Sequence, residues 1–185
     1  MHRYVIRDAR SDDAQQIAAA HVAIWKATYP GMVDQTKLDA FDVAHALARR
    51  RQSLGTPTEQ AARGIRTICA VLTATGEIVG FATSGPARDD DPPAPTELWS
   101  LNVLPDHHGS GVALELMTSV LGGADVPAYL WVVRDNARAV AFYRAHGFEL
   151  DGVTRFDPDW DCHETRMATT HLSGDAVGVD TPWVR

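Results

Sequence analysis

The stretch TELWSLNVLPDHHGSGVALELMTSVL, residues 96–121, holds the decisive transition of this 185-residue chain. Residues 96–104 have the composition of a buried strand, and Pro105, which has no amide to donate, ends it. His108-Gly109-Ser110-Gly111 then opens a segment in which Val112, Leu116, Met117, Val120 and Leu121 recur at helical spacing. Strand, glycine loop and helix in direct succession leave several amides unpaired at a helix N-terminus, where the partial positive charge favours a phosphate. The pattern is not a P-loop, whose closing Gly-Lys-Ser/Thr is missing, and its glycine spacing is not that of the dinucleotide fingerprint. Taken alone, the loop could equally be a tight turn needing positive φ at Gly109 or Gly111.

Downstream, Gly122-Gly123 ends the helix, and residues 128–133 (AYLWVV) read as a second buried strand. Asp135 or Asn136 can cap a helix over residues 137–145, stopped by Gly147. A strand follows from Phe148 to about Val153, then a turn at residues 156–159 and a last strand over 163–170. Upstream, runs 65–73 and 77–84 flank Ala74-Thr75-Gly76 as a hairpin, and residues 85–95 (GPARDDDPPAP) predict a solvated loop. The N-terminal part reads as a strand at Tyr4 to Arg7, Ser11-Asp12-Asp13 as cap chemistry, and a helix carrying Ile17, Ala20, His21 and Ile24 to about Tyr29. A second amphipathic segment spans residues 36–50, with Arg49-Arg50-Arg51 read as a solvated helix end, and residues 52–64 read as a loop.

With both βα units in view, the chain resembles the GNAT superfamily of acetyl-CoA-dependent N-acetyltransferases. His108-Gly109-Ser110-Gly111-Val112-Ala113 is similar to the family loop Arg/Gln-x-x-Gly-x-Gly/Ala, departing from it by His at the first position. Asn136-Ala137-Arg138-Ala139-Val140-Ala141-Phe142-Tyr143-Arg144-Ala145-His146-Gly147-Phe148 is similar to Asn-x-x-Ala-x-x-Phe-Tyr-x-x-x-Gly-Phe without a gap. The opening, Ile6-Arg7 and Asp12-Asp13 leading to Ala23-Ile24-Trp25 and Tyr29-Pro30-Gly31, extends the resemblance over roughly residues 4–170.

The resemblance implies an α/β fold: a mixed, mostly antiparallel sheet flanked by helices and splayed near Val103 to admit acetyl-CoA. It implies that the coenzyme diphosphate rests on the amides of Gly109, Ser110, Gly111, Val112 and Ala113 and that the pantetheine arm pairs with the backbone of Leu101, Asn102 and Val103. Asn136, Ala139 and Phe142 would border the coenzyme, and His108 leaves the amide donors intact. Tyr143 takes the position of the family's general-acid tyrosine, and a phenol with a pKa of ~10 can donate a proton at neutral pH. Trp25 and Tyr29 lie where the family borders the acceptor.

Attack on a thioester needs a neutral amine, so a base or a water chain must take a proton from the ammonium. Glu97 is the acid in the strand at 96–104. Strict alternation puts it on one face with Trp99, Leu101 and Val103, where burial would make it a stronger base. A strand-end carboxylate in solvent is the plainer alternative.

The 17 Lys and Arg against 24 Asp and Glu give a net charge of −7, which argues against general attraction to nucleic acid or membrane and favours a small cationic amine as acceptor. Cys69 and Cys162 lack CxxC partners and the eight histidines form no ligand spacing, so no metal is expected. No stretch approaches a membrane span, and the opening residues show no signal-peptide core, which predicts a cytoplasmic protein. One domain over 1–172 is expected, with a tail at 173–185 whose Val177, Val179 and Trp183 leave a homodimer open. The reaction expected is direct acetyl transfer to an amine. A non-catalytic acyl-CoA-binding or sensing module, and a structural protein whose glycine loop is only a turn, are the competing readings.

Overall fold

Thr96–Val103, strand β4, lies at the centre of a seven-stranded sheet in the computed structural model, which describes residues 3–54 and 56–169. The other strands are β1 (Tyr4–Asp8), β2 (Arg66–Leu72), β3 (Ile78–Pro86), β5 (Ala128–Val133), β6 (Phe148–Asp157) and β7 (Cys162–Thr169). Their order is β1-β2-β3-β4-β5-β7-β6, and every neighbouring pair is antiparallel except β4 and β5. A parallel pair needs a crossover, and helix α5 (Val112–Leu121) supplies it. The tail at 173–185 lies outside the described residues.

Two layers of helix bury the two faces of the sheet. Helix α1 (Ala14–Thr28) covers one face, bringing Ile17 against Cys69, Ile78 and Phe81. Its start is fixed by Asp13, which accepts from the amide of Arg10 at 2.7 Å and from Arg7 at 2.6 and 2.8 Å. The Arg7 hydrogen bond holds the Asp13 carboxyl below the usual carboxylate range. Helix α5 covers the other face, where Val112, Leu116, Met117 and Val120 join Ile68, Ala82, Leu98 and Val103. It ends at Gly122, whose φ of 86° is the left-handed C-cap that glycine adopts without strain.

The segment read as one helix over 36–50 is two, α2 (Gln35–Ala40) and α3 (Val43–Leu54). Between them Phe41 turns extended, with φ −73° and ψ 105°, to bury its ring, and Asp42 accepts from the amide of His45 at 2.8 Å to restart the helix. Residues 52–64 are not all loop: α4 (Pro57–Ala62) forms behind a capping box in which Thr56 and Glu59 each bond the other's amide. Pro57 sits in the first helical turn, where its missing amide costs nothing. Strand β6 runs beyond Val153 to Asp157, its pairing with β7 interrupted between Leu150 and Thr154 around Gly152, which has φ 87°. Helix α6 (Ala137–Ala145) matches the span expected for it.

Gly80 is where the α5 face closes most tightly. A Cβ there would lie 2.8 Å from the carbonyl oxygen of Asn102 and 3.1 Å from side-chain atoms of both Leu116 and Val103. Gly80→Ala should therefore push β3 off β4 and α5 and lower stability by about 1–3 kcal/mol. A urea midpoint equal to that of the native chain would show that the strand absorbs the methyl group.

Candidate active site

The parallel ladder between β4 and β5 is short. Only Thr96, Glu97 and Leu98 pair with Ala128, Tyr129 and Leu130. Beyond them β4 stays bonded to β3 as far as Val103 opposite Gly80, and β5 stays bonded to β7 as far as Val133 opposite Glu164. The strands thus part after Leu98, earlier than the expected Val103, and a cleft of about 870 Å³ opens between them. That volume suits a substantial small-molecule ligand. Its walls include Leu101, Asn102 and Val103 from β4, and Asn136, Ala139, Phe142 and Tyr143 from α6 and its cap. His108, Gly109, Gly111 and Ala113 come from the glycine loop, and Trp25 and Tyr29 from the end of α1. Ser110 and Val112 stand apart: the Ser110 hydroxyl donates to the His107 carbonyl at 2.7 Å, and the Val112 side chain is buried under the sheet. Only their amides can serve the cleft.

In the loop, Gly109 has φ 73° and Gly111 φ 86°, and a Cβ at either would meet nothing within 4 Å. Glycine is required here by backbone conformation, not by space. Among the described residues the amides of positions 109–113 have no hydrogen-bond acceptor, so they stand ready for an anion at the N-terminus of α5. The His108 ring is turned onto β4, with Nε2 3.0 Å from the carbonyl oxygen of Val103. Burial, with the nearby charge of Arg138, pushes its pKa down. Arg138 lines the cleft and brings a cation to the loop, a contribution hidden in a variable position of the Asn136 motif.

Asn136 is buried and accepts from the amide of Ala139 at 3.1 Å, capping α6, and its side chain lies beside the Tyr29 phenol, whose pKa burial raises. Two turns on, Tyr143 packs against Phe142 and Phe148 with ring centroids 5.3 and 5.8 Å away. Its hydroxyl has no hydrogen bond among the described residues. Burial raises its pKa well above the ordinary phenol, and the neighbouring Tyr29 adds to this, so the proton stays on at any neutral pH.

Glu97 lies elsewhere. Thr83 pairs with Ser100 but Ser84 with Leu98, so Trp99 is an extra residue, a bulge that inverts the alternation of β4. Glu97 faces with Gly85, whereas Leu101 and Val103 face with Ala82 and Gly80 on the opposite side. The expected shared face is therefore overturned. Glu97 is 1% exposed, is absent from the cleft wall, and accepts from Arg88 Nε at 2.9 Å, the Arg88 amide at 3.2 Å and the Tyr129 hydroxyl at 3.1 Å. The loop after β3, expected to be merely solvated, is pinned by these bonds and by Asp89, which accepts from Trp131 at 3.1 Å and Arg166 at 2.9 Å. Arg88 in turn lies over the Trp99 ring, 4.5 Å from its centroid.

The α1–α3 end of the cleft is aromatic and basic. Trp25 stacks within 4.2 Å of Trp160, 4.6 Å of Tyr29 and 5.7 Å of Phe41, centroid to centroid. His21 stands edge-on to Trp25, Phe41 and Phe81. Arg49, Arg50, Arg63, Arg88 and Arg138 line the cleft against only Asp157 and Glu164 among its acids. The negative net charge of the chain is thus not the charge that a guest meets, and the expectation of a cationic guest drawn from it does not carry over to the cleft.

The sequence model of the Acetyltransferase (GNAT) family matches residues 32–148. An uncharacterized N-acetyltransferase of Mycobacterium tuberculosis is 32% identical over 151 residues, covering 78% of this chain and 88% of its own. An uncharacterized N-acetyltransferase of Bacillus subtilis is 22% identical over 160 residues, with coverages of 80% and 86%. Among solved structures, the PaiA N-acetyltransferase of Thermoplasma acidophilum in complex with coenzyme A superposes with a TM-score of 0.62 at 17% identity, covering 89% of this chain and 98% of that one. A histone acetyltransferase HPA2 and related acetyltransferase from Corynebacterium glutamicum gives a TM-score of 0.64 at 20% identity, with coverages of 95% and 100%.

Burial, with the charges of Arg50 and Arg49 behind it, pushes the His21 pKa from 6.5 down to about 4. The unfolded chain then binds the extra proton between those values, so stability is complete above pH 6.5 and declines as pH falls toward 4. His21 alone adds at most ~1.4 kcal/mol per pH unit to that slope. His21→Gln should flatten the decline in urea titrations at pH 7 and 4.5, and equal slopes would mean that His21 protonates freely in the fold.

Proposed function

Because this chain belongs to the acetyltransferase (GNAT) family, we propose that it moves the acetyl group of acetyl-CoA to the amine of a small molecule while both substrates are bound together. The observation that carries this reading is the joint position of a donor-rich glycine loop, an open strand edge and a buried, protonated tyrosine on one cleft. The residues present fit the coenzyme. The amides of positions 109–113, with Arg138 beside them, suit its diphosphate, and the unpaired side of β4 at Leu101, Asn102 and Val103 suits an extended arm carrying amides. The Val103 carbonyl already receives the His108 ring, and its second lone pair remains for the arm. Ala139 and Phe142 offer apolar contact and Asn136 a polar one.

In the reaction the amine nitrogen bonds to the acetyl carbon as the carbon–sulfur bond breaks, and the sulfur leaves as a thiolate that must be protonated. Tyr143 is the donor: burial keeps its phenol protonated, its hydroxyl has no competing partner among the described residues, and the second proton shed by the nitrogen as the amide forms restores the phenol once its own has passed to the sulfur. Transfer is direct. Cys162, which lines the cleft, is buried and its thiol is pushed up to about 11, so the nucleophilic thiolate is scarce. The proton of the acceptor ammonium leaves through water in the cleft, since Glu97 is committed to Arg88 and Tyr129. Glu97 serves as a positioning residue that holds Arg88 over Trp99 at the cleft wall.

Release of coenzyme A thiol with an amine panel tests the activity. Tyr143→Phe keeps the ring and removes the donor, so kcat should fall by ~10²-fold while affinity for acetyl-CoA is retained. Undiminished turnover would make Tyr143 a packing residue.

Glu97→Gln should lower stability by about 1–3 kcal/mol through its weakened bond to Arg88, and the pH–rate profile should keep the native shape. A flattened acidic limb in that variant would make Glu97 the base.

A further inference from the structure

The arginine run at the end of α3 has three fates. Arg51 is exposed, and Arg49 pairs with Asp159 at 3.0 Å. Arg50 is turned inward, half-buried in the cleft wall, with its guanidinium 5.7 Å from the centre of the Phe81 ring. Among the described residues it makes no hydrogen bond and no ion pair. Burial lowers its pKa to about 10, so it remains charged at neutral pH. Among the described residues no buried side-chain nitrogen lacks a partner, so the half-buried guanidinium still reaches water in the cleft, and an arriving anion exchanges that water for charge-assisted hydrogen bonds.

Beside it, the His21 ring lies edge-on to the same Phe81 at 5.5 Å, and its nitrogens have no hydrogen-bond partner among the described residues. Among the described residues neither cleft acid forms an ion pair with Arg50: Glu164 pairs with Arg155 at 2.6 Å, and the Asp157 carboxylate accepts from the Asp159 amide at 2.8 Å. Phe81 packs on the α1 face, whereas the glycine loop leads into α5 on the other face. Arg50 and the donor-rich loop therefore enter the one cleft from opposite faces of the sheet.

We propose that the acceptor amine also carries a carboxylate, which Arg50 receives at the α1–α3 end of the cleft. This rests on the acetyltransferase reading above. A carboxylate matches the planar guanidinium fork, and His21 can donate to one of its oxygens. The wall of Trp25, Phe41 and Trp160 suits an apolar or aromatic body, so the class is an amino acid or a related amino-carboxylic acid.

The test pairs L-amino acids with their carboxamides, with rates referred to the neutral amine. KM should be ~10–100-fold lower for the acid than for its carboxamide. Arg50→Leu, which keeps an apolar stack on Phe81, should collapse that preference while acetyl-CoA affinity persists, and Arg50→Lys should restore part of it. Equal KM values in the native chain, or an undiminished preference in Arg50→Leu, would overturn the proposal while leaving acetyl transfer standing.

A second arm needs no turnover. The His21 imidazole NMR signal, assigned by its loss in His21→Gln, should shift saturably with sodium benzoate, not with benzamide, and not in Arg50→Leu. Like responses to the two probes, or a native response in Arg50→Leu, would overturn it. Acetyl-CoA binding with no amine acetylated would instead defeat the reading it rests on.

Discussion

Everything in the site depends on a ladder that stops early. Three paired positions join β4 to β5, and the antiparallel ladders on both outer sides continue past that point. Backbone donors and acceptors inside a sheet are costly to leave unpaired unless water or a guest reaches them. The gap is tolerable because it is open, and it stays narrow because each margin is tied to a rigid half-sheet. The crossover through α5 brings the glycine loop to one margin, and the cap of α6 brings Asn136, Arg138 and Tyr143 to the other.

Local chemistry made part of this legible. Positive φ at Gly109 and Gly111, the Asn136 cap and the run through Tyr143 are short-range features, and short-range rules find them. What escaped was set by tertiary choice. Alternation along β4 fails at Trp99 because one inserted residue exchanges the faces, which sends Glu97 to Arg88 and away from the cleft. The break between α2 and α3 serves the burial of Phe41, a demand that appears only once Trp25 and Trp160 are placed beside it. Helix α4 carried its signal in plain view, in the box of Thr56 and Glu59 with Pro57 between them.

Charge shows the same separation of scales. A whole-chain sum of −7 says nothing of the five arginines on the cleft wall, because potential inside a concave, partly dry site is set by the nearest groups. Arg49-Arg50-Arg51 looked uniform in sequence, yet a helix turns by about 100° per residue, so consecutive side chains cannot share an environment. One of the three meets solvent, one meets Asp159, and one meets Phe81.

The two ends of β4 are held very differently. At its start Glu97 is locked to Arg88 and Tyr129, and the loop before it is riveted through Asp89 to Trp131 and Arg166. At its far end, on the side facing the gap, the one side-chain tie among the described residues is the His108 imidazole on the Val103 carbonyl. Mechanically the strand is a shelf, backed by β3 as far as Val103 and open on its outer edge alone. A long, thin guest laid along that edge ruptures no ladder and finds residues 100–103 already held extended. Little backbone ordering in the strand therefore remains for its arrival to impose.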